Sequence, residues 1–343
     1  MKIVYLTRKI PEPGPSLLTN GGCELVVHPR PDPPTKEEII ENVAGKNAII
    51  CTVSDRIDKE VMDAAGPSLK VISSYSSGYD HIDLKEATSR GIYVTYVASV
   101  PAEATADLAF ALILACARRI TDGDSFVKEN RWKIGWSPDL LVGHNVYGAT
   151  LGIIGLGKIG SAVARRAMGF NMRVLYYDQS PKPNGDSKVC AEYTSLDELL
   201  ENSDFVSIHT SLNSNSYHLI DKSKLQKMKK TAFLINTSRG HVVNEADLAE
   251  VLLEGRIAGA GLDVFENEPI SEANPLLRAN NRIVFQPHVG CATHQTRAKM
   301  AEVAARNLLD VLHGRHPRPI FLVNPDVIMV RPLPIARSEV TAS

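Results

Sequence analysis

The sequence predicts an α/β fold with parallel sheets and more than one domain. Short apolar runs alternate with segments of helical periodicity along most of the chain, which is typical of parallel strands joined by crossover helices. A glycine-rich turn lies between one such run and the helix that follows it. With 343 residues, the chain exceeds the size at which a single hydrophobic core stops growing, so we expect two domains.

The first hundred residues predict one sheet. Strands are expected at 3–6, 48–51, 71–74 and 93–97, and helices at 37–43 and 59–65. Pro101 then precedes a long apolar segment, 102–119, which we predict to be a largely buried helix that connects two domains.

The alternation restarts at Thr150 and predicts a second sheet. Strands are expected at 151–154, 173–177, 205–209, 232–236, 258–264 and 283–286, and helices at 158–168, 195–201, 222–228 and 244–253. Asn244 is a candidate N-cap and Gly255 a candidate stop for the last of these helices. Six strands with intervening helices are typical of a complete doubly wound nucleotide-binding unit. A further amphipathic helix is expected at 293–312, and the proline-containing tail 331–343 is expected to be poorly ordered.

The glycine-rich turn predicts a dinucleotide site. Gly155, Gly157 and Gly160 follow an apolar run with GxGxxG spacing, and Lys158 and Ile159 lie between the second and third glycines. The first glycine permits a tight turn, the second lets backbone approach a pyrophosphate, and the third lets the helix pack on the strand. The N–H groups and the dipole at the helix N-terminus favour phosphate binding.

Asp178 bears on the choice of cofactor. It ends a second apolar run about 20 residues beyond the turn, where an acid accepts hydrogen bonds from the ribose hydroxyls. A carboxylate repels a 2′-phosphate, so NAD(H) is favoured, while the nearby Lys182 leaves NADP(H) possible. The alternative, an ordinary strand-to-helix turn without a ligand, is disfavoured by the joint spacing of strand, turn and acid.

Composition favours a small-molecule partner. The 38 Lys and Arg residues balance 39 Asp and Glu residues, for a net charge of −1, so no basic footprint for nucleic acid or an anionic membrane is present. The apolar run at the N-terminus is too short for a signal peptide, and the longest apolar run, 108–117, is too short to cross a bilayer. Five scattered cysteines without a CxxC pair predict neither a disulfide framework nor a zinc site, and a reducing cytoplasm is the simplest location.

Three polar residues follow predicted strands, where open α/β sheets place their ligands. Arg239 could hold a carboxylate by two parallel hydrogen bonds, and His288 could exchange a proton near neutral pH. Glu268 could bond the other ring nitrogen of that histidine and fix its tautomer. Taken singly, each has a structural alternative: a surface ion pair, a buried histidine or an exposed loop carboxylate. The functional interpretation therefore requires that the three side chains converge.

These motifs together resemble the D-isomer-specific 2-hydroxyacid dehydrogenase family. The resemblance extends to about Asn324 and rests on the glycine turn followed by NTSRG at 236–240, GLDVFENEP at 261–269 and PHVG at 287–290. It implies a Rossmann NAD-binding domain, 101–292, inserted into a smaller flavodoxin-like catalytic domain, 1–100 with 293–330. It also implies a homodimer built mainly on the inserted domain.

The resemblance also implies roles for individual residues. Arg239 would bind the carboxylate and carbonyl oxygens of the substrate, and His288 would be the acid/base, with Glu268 orienting it. The backbone N–H groups of Ser77 and Gly78 would hold the substrate carboxylate.

On the cofactor side, the same resemblance places four further residues near the nucleotide. Asp263 would contact the nicotinamide carboxamide, and Thr105, Thr210 and Thr237 occupy positions near the cofactor. For Thr105 and Thr210, local hydrogen bonding to the backbone remains an alternative. No metal ligand is implied.

Within the family, the chain is most similar to glyoxylate/hydroxypyruvate reductases, through 146–155, 164–166 and 290–294. That similarity implies reduction of glyoxylate to glycolate and of hydroxypyruvate to D-glycerate. Cys291 stands where Ser is usual, and Asp178 replaces the non-acidic residue of many NADPH-preferring members. Phosphite dehydrogenases carry a lysine in the substrate loop at the position of Ser77, so assignment to that class is disfavoured.

Two alternatives to this assignment stay open. D-Lactate or D-3-phosphoglycerate dehydrogenase is one, because a methylene or hydroxyl in a pocket changes selectivity by only about 1–3 kcal/mol. An NAD-sensing corepressor of the same fold is the other, since a fold does not fix a function.

Overall fold

The computed structural model describes residues 1–181 and 189–334, which form two compact units. The first comprises Met1–Pro101 together with the segment that begins at Ala292, and the second is Ala102–Cys291. The second unit therefore interrupts the chain of the first. Both are α/β units with a wholly parallel sheet, which confirms the predicted fold class.

The strands are β1 (Lys2–Leu6), β2 (Cys23–Val27), β3 (Ala48–Cys51), β4 (Val71–Ser74), β5 (Tyr93–Thr95), β6 (Thr150–Ile154), β7 (Arg173–Tyr177), β8 (Glu192–Tyr193), β9 (Phe205–Ile208), β10 (Phe233–Asn236), β11 (Gly259–Leu262) and β12 (Ile283–Phe285). The α-helices are α1 (Gly14–Asn20), α2 (Lys36–Val43), α3 (Lys59–Ala65), α4 (Leu84–Ser89), α5 (Ala102–Arg118), α6 (Ile120–Lys128), α7 (Lys158–Met168), α8 (Leu196–Asn202), α9 (Lys222–Leu225), α10 (Glu245–Leu253), α11 (His294–Leu312) and α12 (Val327–Val330). Short 3₁₀ helices lie at Gly66–Ser68, Gly240–Val242, Pro275–Arg282 and Pro319–Phe321.

The first unit has a five-stranded sheet in the order β2-β1-β3-β4-β5. The four predicted strands are present, but β2 was not predicted. This strand lies at the edge of the sheet, and only the first of its five residues is fully buried. An edge strand needs no continuous buried apolar run, so its sequence lacks the signal that marks the central strands.

The second unit has a seven-stranded sheet in the order β12-β11-β10-β9-β6-β7-β8. Six of these strands were predicted, and β8 adds a two-residue edge. The strand order reverses between β6 and β9, and ligands bind at the carboxyl ends of the strands beside such a switch point. The glycine turn follows β6 directly, so the sequence places it at this switch point.

Local capping explains the helix boundaries near the site. The Asn244 side chain accepts from the backbone N–H of Asp247 at 3.1 Å, which confirms the predicted start of α10. Gly255, with a φ of +63°, lies just beyond the end of that helix. Thr293 caps α11 by accepting from the N–H of Thr296 at 3.1 Å.

Arg331, the first residue of the segment that we expect to be poorly ordered, makes two long-range hydrogen bonds. The Tyr93 hydroxyl donates to the Arg331 carbonyl at 2.7 Å, and the Arg331 guanidinium donates to the Leu69 carbonyl at 3.2 Å. These long-range bonds hold the segment against the first unit. The remainder of the predicted tail, 335–343, lies outside the described residues.

No helix in the described part of the chain combines the length and the apolar character that a membrane crossing requires.

The core of the second unit supplies a test of the fold. Leu234, in the interior strand β10, is 0% exposed, whereas Leu253, at the end of α10, is 55% exposed. We expect Leu234→Ala to lower the free energy of unfolding by about 2–5 kcal/mol through lost burial and a residual cavity. Leu253→Ala, the same chemical change at the surface, should alter it by less than about 0.5 kcal/mol. Denaturant titrations measure both, and equal losses would contradict this placement.

Candidate active site

Each glycine of the turn has its own steric requirement. Gly155 has a φ of +93°, and a Cβ there would lie 2.8 Å from the backbone N of Thr210. A Cβ on Gly160 would lie 2.2 Å from the Gly155 carbonyl oxygen. At Gly157, by contrast, a Cβ would meet nothing within 4 Å. Packing thus requires glycine at positions 155 and 160, whereas Gly157 leaves open space in front of the helix.

The N-terminus of α7 is available to an anion. Gly157 is the N-cap residue, and no side chain caps the helix. Lys158 and Ile159 are its first two residues, so their backbone N–H groups belong to the set that lacks partners within the helix. The lysine side chain is exposed, whereas the isoleucine packs against the apolar core of the unit.

Asp178 lies directly after β7 and reaches the glycine turn. Its Oδ2 accepts from the N–H of Leu156 at 3.2 Å, and its Oδ1 accepts from the N–H of Gln179 at 2.9 Å. The carboxylate is half-buried. Lys182, the lysine that follows this acid closely in the sequence, lies outside the described residues.

Two threonines lie at neighbouring strand ends. Thr210 follows β9 and is half-buried. Thr237 follows β10, and its Oγ1 is buried without a hydrogen-bond partner among the described residues. A buried hydroxyl of this kind is normally satisfied by some partner, so it is suited to a polar group of a bound ligand. Next to Thr210, the His209 ring bonds the Ser207 hydroxyl at 2.8 Å, and burial lowers its pKa to about 3.

Asn236 fixes the turn that carries Arg239. Its buried side-chain oxygen accepts from the backbone N–H and the hydroxyl of Ser238, both at 3.0 Å. Its amide nitrogen donates to the Arg239 carbonyl at 2.9 Å. The Arg239 guanidinium is half-buried and donates to the Ser238 carbonyl at 2.9 Å.

Glu268 and His288 form a close pair. Oε2 of Glu268 lies 2.6 Å from Nδ1 of His288. Oε1 of Glu268 accepts from the backbone N–H of Phe265 at 3.0 Å, so both carboxylate oxygens are fixed. Because the pair uses Nδ1, Nε2 is the ring nitrogen that remains for a reacting group.

The electrostatics of Glu268 link all three predicted residues. Burial acts to raise the pKa of this carboxyl, but the hydrogen bond and charge of His288, the Phe265 N–H and the positive charge of Arg239 outweigh it. The net effect holds the pKa below its ordinary value of 4.5. The charge of Arg239 thus acts on the carboxyl that pairs with His288, and all three residues lie in loops that follow parallel strands of the second sheet.

Asp263 holds the loop that carries His288. Its carboxylate is 1% exposed and accepts from the N–H groups of Val289 at 2.8 Å and Gly290 at 2.9 Å. Its backbone carbonyl accepts from the N–H of His288 at 2.8 Å, and its own N–H donates to the Asn236 carbonyl at 2.9 Å. Burial raises the pKa of this carboxyl, because desolvation disfavours its charged form. His288 itself has a φ of +55°.

Thr105, on α5, packs against the same loop. A Cβ on Gly290 would lie 3.1 Å from Oδ2 of Asp263 and 3.3 Å from Cγ2 of Thr105. Local packing against the histidine loop is thus present at Thr105. Its predicted contact with the cofactor stays a prediction.

Ser77 and Gly78 belong to the first unit, in the loop after β4. The Gly78 carbonyl accepts from the hydroxyls of Ser74 at 3.1 Å and Ser76 at 2.5 Å. The Ser76 carbonyl accepts from the N–H of Val97 at 3.1 Å. These bonds fix the loop within its own unit.

His218 and Glu266 were not predicted, although they lie beside the predicted residues. Nε2 of His218 lies 3.0 Å from Oε1 of Glu266, which is two positions before Glu268. Nothing in the spacing of these two residues along the chain marks them as partners. Among the described residues, no group of three or more His, Cys, Asp and Glu side chains could hold a metal ion.

A doubly wound sheet with a glycine turn at its switch point, and an Arg, Glu and His at the neighbouring strand ends, defines a nucleotide-dependent oxidoreductase. Residues 110–290 match the model of the D-isomer specific 2-hydroxyacid dehydrogenase NAD binding domain. The chain belongs to the D-isomer-specific 2-hydroxyacid dehydrogenase family. It therefore has a nicotinamide cofactor and acts in the reduction of 2-oxo acids.

Similar proteins agree with this membership. The glyoxylate reductase of Korarchaeum cryptofilum is 49% identical, with 96% of this chain and 98% of the relative aligned. The glyoxylate reductase of Thermofilum pendens is 49% identical, with 96% of each chain aligned. The TT0316 protein from Thermus thermophilus is 45% identical in sequence, and its crystal structure superposes on this chain with a TM-score of 0.87. The match covers 94% of this chain and 99% of that one.

The pKa of Glu268 leads to a test of its pairing. A carboxyl whose folded-state pKa is depressed stabilises the fold above its unfolded pKa, and this contribution is lost as the pH falls through the folded value. We expect the difference in free energy of unfolding between wild type and Glu268→Gln to be largest near neutral pH and to shrink in acid, below 4.5. Denaturant titrations across this range measure it. Glu201→Gln, at an exposed position of α8, is the control, and a pH-independent difference for Glu268→Gln would contradict the pairing.

Proposed function

We propose that this protein is an NAD(H)-dependent reductase of small 2-oxo acids, which converts glyoxylate to glycolate and hydroxypyruvate to D-glycerate. The observation that carries the proposal is the 2.6 Å pair of Glu268 and His288 beside the positive charge of Arg239. The glyoxylate reductases among its relatives support the choice of a small substrate.

His288 acts as the acid in the proposed reduction. When bound, the reduced nicotinamide supplies a hydride to the carbonyl carbon. Nε2 of His288 donates a proton to the carbonyl oxygen, which becomes the hydroxyl of the product. Glu268 stays bonded to Nδ1, so it keeps the ring oriented and compensates its positive charge before transfer.

Arg239 binds the substrate in this proposal. Its guanidinium can form two parallel hydrogen bonds to a carboxylate and polarise the adjacent carbonyl. Asn236 supports this role, because its bonds on both sides of the turn fix the backbone from which the arginine extends.

The residues of the second unit fit a dinucleotide. The open space at Gly157 and the uncapped start of α7, with Lys158 and Ile159, suit a pyrophosphate. Asp178 would accept from the ribose hydroxyls and disfavour a 2′-phosphate, so NAD(H) is preferred over NADP(H). The buried hydroxyl of Thr237 suits a further polar contact.

Three further residues complete the proposed cofactor site. Thr210 lies against the glycine turn, and Asp263 and Thr105 lie against the His288 loop. Asp263 would both hold that loop and contact the nicotinamide carboxamide.

We also propose a homodimer built on the second unit. Its α6 and the segment up to residue 149 expose several large apolar side chains, of which Ile134 is 71% and Trp136 is 86% exposed. The others are Ile120, Val127, Trp132, Val142 and Tyr147. Several exposed large apolar side chains within one segment are typical of an interaction surface.

We also propose a cytoplasmic location. The five cysteines lie in the described part of the chain and form no disulfide there, which supports a reducing compartment.

The catalytic roles are tested by two substitutions. We expect His288→Ala to lower kcat for glyoxylate with NADH about 100-fold or more, because it removes the general acid. Arg239→Ala should also raise KM for glyoxylate. Steady-state kinetics measure both, and NADH affinity, measured by fluorescence titration, should change by less than about threefold. His313→Ala, whose ring bonds the Gly21 carbonyl in the first unit, is the matched control.

Wild-type turnover in either variant would refute the role assigned to that residue. A wild-type protein that binds NADH but reduces no 2-oxo acid would favour the corepressor class. Preferential turnover of pyruvate or of phosphohydroxypyruvate would favour D-lactate or D-3-phosphoglycerate dehydrogenase.

The cofactor preference is tested at Asp178. We expect Asp178→Ser to raise the ratio of kcat/KM for NADPH to that for NADH by about tenfold or more, because it removes the carboxylate that repels a 2′-phosphate. Initial rates with both cofactors measure the ratio. Asp197→Ser, at the surface of α8, is the control. An unchanged ratio would assign the preference to other residues.

The dimer is tested at its most exposed side chains. We expect Ile134→Glu with Trp136→Glu to shift sedimentation from dimer to monomer, because two charges would be buried in an apolar interface. Met329→Glu, which is 87% exposed on α12 of the first unit, should leave the dimer intact. A double variant that stays dimeric would exclude this surface.

A further inference from the structure

Three loops at the carboxyl end of the second sheet carry or flank the proposed site. One follows β9 and contains His218, one follows β10 and contains Arg239, and one follows β11 and contains Glu268. His218 makes contacts to both of the other loops. Nothing in the catalytic proposal uses it.

The backbone and the ring of His218 bind different loops. Its backbone N–H donates to the His241 carbonyl at 2.8 Å, in the loop after β10. Its Nε2 lies 3.0 Å from Oε1 of Glu266, in the loop after β11, and its Nδ1 lies 3.4 Å from Nδ2 of Asn244. The residue has a φ of +48°, and its ring stacks on Tyr217 at 4.2 Å between centroids.

The partners select one tautomer of this ring. An ionised carboxylate only accepts hydrogen bonds, and an amide nitrogen only donates them. A ring that carries its proton on Nε2 satisfies both contacts, because it donates to Glu266 and accepts from Asn244. The side-chain oxygen of Asn244 is already used as the cap of α10, which leaves its nitrogen for the ring.

Glu266 is held from a second side by Glu245. The Glu266 N–H donates to Oε1 of Glu245 at 2.6 Å, and Oε1 of Glu266 accepts from the Glu245 N–H at 3.1 Å. The neighbouring residue, Phe265, provides the N–H that binds Oε1 of Glu268 at 3.0 Å. The position of the Glu266 backbone therefore sets the position of the carboxylate that pairs with His288.

The Arg239 turn packs directly on the same backbone. A Cβ on Gly240 would lie 1.9 Å from the carbonyl carbon of Phe265 and 2.3 Å from the backbone N of Glu266. A displacement of the Glu266 peptide thus acts on the residue next to Arg239 as well as on Glu268.

We propose that His218 is a positioning residue for the reaction: through Glu266 and His241 it keeps the loops of Glu268 and Arg239 in their mutual alignment. This inference rests on the proposed function. It assigns no contact with substrate or cofactor to His218.

Two substitutions separate positioning from general stability. His218→Asn removes the donor to Glu266 with a side chain that is too short to reach it, yet Asn tolerates a left-handed backbone. His218→Gln keeps an N–H donor near the place of Nε2. Asp221→Ala, three residues after His218, is the control. It removes the N-cap bond from the Lys224 N–H, at 3.0 Å, and Asp221 makes no side-chain hydrogen bond to either loop within the described residues.

Steady-state kinetics with glyoxylate and NADH give the first readout. We expect His218→Asn to lower kcat about tenfold while the Kd for NADH stays within twofold, and His218→Gln to restore kcat to within twofold of wild type. Asp221→Ala should lower Tm and leave kcat unchanged. Combining His218→Asn with Glu266→Ala should lower kcat no further than Glu266→Ala alone, because both act through one contact.

Amide hydrogen exchange gives a readout that needs no turnover. We expect the N–H groups of Phe265 and Glu266 to exchange about tenfold faster in His218→Asn than in wild type, and at the wild-type rate in Asp221→Ala. If the wild-type protein fails to reduce any 2-oxo acid, the proposed function is wrong, and the exchange result alone decides whether His218 positions these loops.

The inference is overturned by a kcat within twofold of wild type in His218→Asn, by equal losses in the Asn and Gln variants, or by unchanged exchange at Phe265 and Glu266. Multiplicative losses in the double variant would overturn it as well, because the side chain of His218 would then act by a route other than Glu266.

Discussion

The site depends on the buried carboxylate of Asp263. The carboxylate accepts from two successive N–H groups, those of Val289 and Gly290. The backbone carbonyl of Asp263 accepts from the N–H of His288. His288 has a left-handed backbone, which costs energy in a residue with a side chain and persists only where the surroundings hold it. The desolvation of the carboxylate is unfavourable, as the raised pKa of Asp263 indicates, and the two backbone donors offset part of this cost.

The strand order explains why the other groups gather beside this carboxylate. Because β6, β9, β10 and β11 are consecutive neighbours in a parallel sheet, their carboxyl ends meet at one edge. The glycine turn, Thr210, Arg239 and Asp263 each follow one of these strands. Glu268 then lies close enough to His288 to bond it and close enough to Arg239 for its pKa to respond. A cation beside an oriented imidazole at a nucleotide-binding edge suits the polarisation and protonation of a 2-oxo acid.

Features with a local physical signature could be predicted from the sequence, whereas contacts between loops could not. The helix α7 begins and ends at the predicted residues, since glycine spacing and apolar periodicity are both local. The start of α10 follows from the capping preference of Asn244. The edge strand β2 lacks a continuous buried run, and the pair of His218 and Glu266 joins residues 48 positions apart. The bonds from Asp263 to the His288 loop likewise depend on tertiary structure, so the sequence indicated only its predicted contact with the cofactor.

Amide hydrogen exchange of the His288 loop in an Asp263→Asn variant tests the central role of this carboxylate most directly. Asn keeps the size of the side chain but replaces one acceptor with a donor, so the half-buried N–H of Val289 or the buried N–H of Gly290 loses its partner. An unsatisfied buried donor costs about 1–3 kcal/mol, so we expect at least one of these two amides to exchange about tenfold faster or more, while the amides of β10 keep their protection. Unchanged protection at Val289 and Gly290 would contradict this role, because the loop would then be held by contacts other than Asp263.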